Sequence, residues 1–244
     1  MGYQGFELYF QPIVRVKDES LYAAEALLRI HDKNGNFISP AEAIPILEES
    51  GLIIPVGKWI IQNAFSMCTE CRKYYPEFRV SINLSYVQIL KSPLMMELKQ
   101  IIEHSGISCS GIIVELTESG YLEGTPAVRS VWNDMKKLRI QIALDDFGTG
   151  YSNLMNISNL EPDIVKLDRG FTLKALSRSY EYQLMQYVIE MVHKLNQYVC
   201  VEGVETKEDL EKIKALGPDL IQGYYYSKPC SRDEFLKKFF GYSE

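Results

Sequence analysis

The feature that most constrains this chain is an alternation. Short runs rich in β-branched and apolar residues recur at Glu7–Val14, Leu21–Arg29, Phe78–Asn83, Gly111–Leu116, Gln141–Asp145, Asp163–Leu167, Tyr198–Val201 and Leu220–Gln222, eight candidate strands in all. Helical patterns lie between most of them. The clearest covers Tyr182–Leu195, where Leu184, Val188, Val192 and Leu195 recur at three- and four-residue steps. Ser39-Pro40-Ala41-Glu42 has the form of a helix start, and Ser231-Arg-Asp-Glu234 fits a capping box for a last helix ending near Phe240. Strands alternating with helices predict a parallel sheet, and eight such units in 244 residues fit an α/β fold, a TIM-like (β/α)8 barrel. Only Arg15–Ser20 separates the first two runs, too short for a parallel crossover. The expectation is therefore a modified barrel with the first strand antiparallel, forming a single domain over residues 1–244.

Charge and cysteine usage narrow the function. Lys plus Arg is 26 and Asp plus Glu is 32, a net charge of -6, which argues against a nucleic-acid polymer as partner. An anionic substrate would need a metal ion to attract it. The five cysteines are irregularly spaced, and Cys68-Thr-Glu-Cys71 stands in a helix-like stretch, so the reading is buried thiols rather than a disulfide framework or a zinc site. No stretch approaches the ~20 apolar residues that span a bilayer, and no basic-then-apolar leader opens the sequence. A cytoplasmic protein without membrane insertion is expected.

Barrels of this kind gather their chemistry at the C-terminal ends of the strands. Here those ends carry Asn83, Glu115 with Glu118 beyond it, Asp145-Asp146, Lys166, Glu202 and Gln222, while Glu25 sits inside the otherwise apolar second run. Each alone admits a structural reading: an ion-paired strand residue, a helix cap at Asn83 or Ser85, a turn at Asp145-Asp146 before Gly148 and Gly150. Together they predict one polar mouth. Clustered carboxylates repel one another unless a cation neutralises them. An all-oxygen set of Asp, Glu and Asn favours Mg²⁺ or Mn²⁺ over Zn²⁺, and adjacent aspartates suit two ions, one carboxylate bridging. His31, His104 and His193 show no ligand spacing.

At these residues the chain resembles the EAL-domain family, cyclic di-GMP phosphodiesterases of bacterial signalling. The resemblance runs from Tyr9-Phe-Gln-Pro-Ile-Val14 to Gln222-Gly-Tyr-Tyr-Tyr-Ser-Lys-Pro229, through Glu25-Ala-Leu-Leu-Arg29, Ile38-Ser-Pro40, Asn83-Leu-Ser85, Glu115-Leu-Thr-Glu-Ser119, Asp145-Asp-Phe-Gly-Thr-Gly-Tyr-Ser152, Lys166-Leu-Asp-Arg169 and Glu202-Gly-Val-Glu-Thr206. The ordered set is specific where the three-letter signature alone is not. It implies that Glu25, Asn83, Glu115 and Asp145 hold a first metal, that Asp145 bridges to a second, and that Asp146 lies on that second ion. It implies catalytic roles for Lys166 and Glu202, and for Glu118 a role in fixing the glycine loop. It implies substrate contacts for Gln11, Leu28, Arg29, Pro40 and Gln222, and more weakly for Glu205 and Tyr224. Alternation along a strand puts Glu25, Leu27 and Arg29 on one face.

The implied reaction is metal-dependent hydrolysis of cyclic di-GMP to linear pGpG by a homodimer, with regulatory domains in a longer parent protein. The competing expectation is a catalytically weak or inactive receptor for cyclic di-GMP, or a dimerisation module. Gly170, Asn153 and Val201 depart from residues common in the family, and none removes a ligand.

Overall fold

The computed structural model describes residues 3–117, 126–149, 157 and 160–241. Its strands are β1 (Phe6–Arg15), β2 (Leu21–His31), β3 (Phe37–Ile38), β4 (Arg79–Asn83), β5 (Ile112–Thr117), β6 (Gln141–Phe147), β7 (Ile164–Leu167), β8 (Tyr198–Glu202), β9 (Leu220–Gln222) and β10 (Cys230–Ser231). Eight close into a barrel in the order β1-β2-β4-β5-β6-β7-β8-β9 and back to β1. β1 runs antiparallel to both its neighbours, and every other barrel pairing is parallel. The short link between the first two strands dictates that reversal, as the sequence predicts. The eight expected strands are these eight. The two-residue β3 and β10, which flank the barrel, carry too few residues to show a period.

Nine described helices pack outside: α1 (Pro40–Glu49), α2 (Ile53–Cys71), α3 (Tyr86–Lys91), α4 (Leu94–Ser105), α5 (Pro126–Lys137), α6 (Arg169–Ser177), α7 (Ser179–Lys194), α8 (Lys207–Lys214) and α9 (Arg232–Phe240). The main apolar core lies between them and the outer face of the barrel, with Phe65, Phe78, Val114, Leu144 and Phe235 fully enclosed. The Ser231 capping box forms as expected. Ser39 stands at the start of α1, but its side chain makes no capping hydrogen bond. α7 starts three residues before the predicted Tyr182. Its buried stripe is Met185, Ile189 and Val192, whereas Leu184 is exposed, because the helix is apolar on two faces and the sequence favours neither. Cys68 and Cys71 are free and buried in α2, and burial pushes the Cys68 thiol up to about 12. Among the described residues no helix is long and apolar enough to cross a membrane.

The two-residue period of the strands sets the polarity of the barrel interior. One inward layer is apolar: Ile13, Ala23, Ile113, Ala143, Ile164, Cys200 and Leu220. Two residues further towards the mouth the same strands present Gln11, Glu25, Glu115, Asp145, Lys166, Glu202 and Gln222. In β1 the step runs backwards along the sequence, because that strand is reversed. A dry floor thus lies under a layer of charge.

Candidate active site at the barrel mouth

Lys166 sits at the centre of that layer. Its ammonium lies 2.7 Å from Glu115, 2.8 Å from Glu202, 3.3 Å from Asp145 and 3.4 Å from Glu25. Four carboxylates thus share one cation. Polar neighbours fix their orientations. Gln222 Nε2 donates to Glu25 Oε2 at 2.6 Å, and Asn83 Nδ2 donates to Glu25 Oε1 at 2.7 Å. Ser81 Oγ donates to Glu115 Oε1 at 2.5 Å. Gln11 accepts from Gln222 at 3.2 Å and donates to the Ser227 carbonyl at 3.3 Å.

The protonation of the cluster follows from burial and mutual repulsion. Burial, then the charge of Glu25, pushes Glu115 well above the ordinary carboxylate range. Burial also raises Asp145 and takes Glu202 to about 8, Lys166 opposing it in both cases. Glu25 goes the other way: burial would raise it, but Lys166, Gln222 and Asn83 outweigh that and lower it. Lys166, disfavoured by burial, is nevertheless held protonated by Asp145, Glu115, Glu202 and Glu25.

Asp145 and Asp146 owe their joint position to a bulge. β6 and β7 are in register at Leu144–Val165 and again at Phe147–Leu167, so two residues of β6 stand opposite Lys166 alone. Asp146 takes a left-handed backbone, φ +59°, which a regular strand never asks of it. Without the bulge, neighbouring side chains would point to opposite faces. Burial and the charge of Asp145 raise Asp146 to about 6.

Beside the cluster is a mainly apolar cavity of about 230 Å³ between β2, β4, α1 and α2, lined by Leu28, Arg29, Pro40, Ile44, Ile53 and Asn83 among others. Arg29 stacks on Tyr9, Cζ 5.3 Å from the ring centre, and donates to the Leu28 carbonyl at 3.0 Å. Leu28 packs on Ile30 and Val56, on the opposite face of β2 from Glu25. Glu205 is held by Arg169 in two hydrogen bonds of 2.7 and 3.1 Å. Tyr224 is half-exposed, stacked under Lys228 and within electrostatic range of Arg29. The sequence-predicted residues therefore fall into a cluster of acids around Lys166, an adjoining cavity with Leu28, Arg29 and Pro40, and a rim with Glu205 and Tyr224. Glu118 and the Gly150–Ser152 part of the glycine loop lie outside the described residues. Ser81 and Tyr9 escape the sequence reading. Ser81, two residues before Asn83 on an inward face, carried a usable signal, whereas the Tyr9 contact depends on the antiparallel pairing.

The comparisons with known proteins agree with this fold. The EAL domain family model matches residues 3–229. The chain belongs to the EAL domain family. Its relatives include the cyclic di-GMP phosphodiesterase PdeF of Escherichia coli, 31% identical over 92% of this chain and 30% of that protein. The EAL enzyme Bd1971, solved with cAMP and cyclic di-GMP bound, superposes with a TM-score of 0.91 at 31% identity over 97% of this chain and 65% of that one. The phosphodiesterase domain of PaMucR, solved as a cyclic di-GMP complex, superposes with a TM-score of 0.89 at 26% identity, covering 96% of this chain and 95% of that one. The chain spans about a third or less of the length of the first curated relatives it matches. What the chain shares with the two solved neighbours is the barrel.

The mouth's chemistry suits a divalent cation. Its donors are all oxygen, and four buried carboxyl groups face one ammonium, an excess of acids that holds protons here and that a cation would satisfy instead. Gln222 Oε1 is buried without a hydrogen bond among the described residues, and Asp145 Oδ1 has the Lys166 ammonium at 3.3 Å. The carboxylates turn towards Lys166, and no three described His, Cys, Asp or Glu side chains share one ligand sphere. A cation entering here would compete with that ammonium for the same oxygens.

Proposed function

We propose that this EAL domain, residues 1–244, hydrolyses one phosphodiester bond of cyclic di-GMP to give linear pGpG, with Mg²⁺ or Mn²⁺ as cofactor. The observation that carries the proposal is the excess of buried carboxyl groups over cations at Lys166, set beside an apolar cavity that a guanidinium overlooks. An acidic mouth alone repels a phosphodiester, whereas one filled by cations attracts it.

Glu25, Asn83, Glu115, Asp145 and Asp146 would hold the metal, two ions in all. Bound there, divalent cations would neutralise the phosphate and acidify water. Leu28, Pro40 and Ile44 offer one base an apolar wall, and Arg29 offers the phosphate a planar fork of donors. Gln222 and Gln11 keep Glu25 from rotating. Glu202 accepts the proton of the attacking water, a role suited to a carboxyl whose affinity for protons lies near neutrality. Lys166 places positive charge where negative charge grows on the phosphate. Glu118 would steady the glycine loop. Glu205 and Tyr224 would meet the far side of the nucleotide. We further propose a cytoplasmic homodimer. Leu173, Tyr180, Leu184 and Tyr187, exposed on α6 and α7, give an apolar face for pairing.

The deciding experiment incubates the purified protein with cyclic di-GMP and Mg²⁺ or Mn²⁺ and identifies the product by mass. Linear pGpG is expected. Tight binding of intact cyclic di-GMP with either metal and no product would leave a receptor instead.

A further inference from the structure

The opposite end of the barrel, where the parallel strands begin, carries a feature the mouth does not use. Tyr22, near the start of β2, packs into the floor with Ile13, Ala23 and Ile164. Its hydroxyl donates to Gln141 Oε1 of β6 at 3.0 Å, and its ring centre lies 6.4 Å from that of Tyr198. Guanidiniums from the two strands flanking β2 pack on that ring. Arg15 of β1 has its Cζ 4.8 Å from the ring centre, and Arg79 of β4 has its Cζ at 4.6 Å. With Lys17 they line a cavity of about 440 Å³ that also touches Tyr198 and Asp219.

Charge here is unbalanced in a chain whose net charge is -6. Among the described residues, none of Arg15, Lys17 and Arg79 forms an ion pair. Asp219 accepts from the Val199 N–H at 2.8 Å and lies 2.9 Å from His193 Nε2. Asp18, within electrostatic range of Arg15 and Lys17, accepts from the Ser20 N–H at 3.0 Å. Arg15 Nη1 donates to Ser20, Leu21 and Tyr75. Arg79 Nη1 donates to the Glu77 carbonyl at 3.0 Å, but its Nε is buried with no acceptor. A packing role for Arg79 explains its stacking but not why three cations without an ion pair gather on one cavity. An anion there does.

We propose that this floor cavity binds a phosphate monoester through Arg79, Arg15 and Lys17, at a site separate from the mouth. Three cations against Asp219 suit a group that carries nearly two negative charges. Guanidiniums whose faces are taken by Tyr22 keep their N–H edges for oxygen.

The test is a ³¹P NMR titration of inorganic phosphate into protein stripped of divalent cations with EDTA, at fixed ionic strength. In that state the mouth presents clustered carboxylates and repels phosphate, so the floor alone responds. Saturable binding is expected. R79K keeps the charge and loses the planar fork of donors, and should bind roughly tenfold more weakly. K17Q alters an exposed side chain, which leaves folding intact, and should bind roughly threefold more weakly. R29Q, at the mouth, should bind as the wild type does. The proposal is overturned by non-saturable binding, by affinity unchanged in both R79K and K17Q, or by binding lost in R29Q alone.

Discussion

At the residue scale the structure turns on Lys166, the one buried cation that four carboxylates share. Removing one partner from a buried ionic cluster leaves the others uncompensated, at a cost of about 3–5 kcal/mol. Lys166→Met should therefore destabilise the metal-free protein by that amount in urea denaturation. Mg²⁺ or Mn²⁺ should then raise the stability of the variant more than that of the wild type, since a cation and the ammonium compete for the same oxygens. An unchanged urea midpoint would show that the cluster is already neutralised by protons. Asp146 and Glu202 make a second prediction. Asp146→Asn and Glu202→Gln keep size and hydrogen bonding but remove charge, so both should cut kcat by about a hundredfold or more while the protein stays folded. Circular dichroism and steady-state kinetics on the same samples separate the two effects.

At the scale of elements, the strand map was legible because each strand is a short apolar run ended by a polar residue, and the link of Arg15–Ser20 permits only a hairpin. The inward polar layer was legible for the same reason: the period of two carries Ile113 to Glu115 and Ile164 to Lys166. Two things were not. The bulge at Asp145-Asp146 has no residue signature, because its left-handed position is filled by aspartate where glycine would have advertised it. The ion pairing of Lys166 with four acids comes from strands far apart in sequence. Close backbone approaches are equally silent. A Cβ at Gly223, just after β9, would lie 2.0 Å from the Val204 carbonyl oxygen, a backbone atom that cannot step aside. Gly223→Ala should move the β8–α8 loop that carries Glu205, lower the Tm by several degrees and raise KM. A Cβ at Gly57 in α2 would instead meet the buried Gln88 side chain at 2.1 Å. Gly57→Ala should cost about 1–3 kcal/mol in urea denaturation and raise KM as well, because Gln88 also lines the apolar cavity beside the mouth.

For the whole molecule, the charge layer links stability, pH and metal. Glu202 and Asp146 ordinarily titrate near 4.5 and 3.8, and here they are raised to about 8 and about 6, with Glu115 and Asp145 also raised. In that window the folded chain binds more protons than the unfolded chain, so stability falls as pH rises. The loss begins above the ordinary carboxylate values, and the part due to Glu202 is complete once the pH passes its raised value of about 8. Glu25, which is lowered, has the opposite sign but acts only below its ordinary value of 4.5. Lys166, raised above 10.5, gives a contribution lost only at still higher pH. EDTA-treated protein should accordingly melt several degrees lower at about pH 8 than at about pH 6, and saturating Mg²⁺ should remove most of that difference, because the cation takes the place of the protons. The gain in Tm on adding Mg²⁺ is then larger at the higher pH, and calorimetry should register protons released on binding. A Tm that is flat or rising with pH in EDTA would mean that the mouth is not the charge-frustrated layer its geometry describes, and the case for cation binding would lose its electrostatic basis.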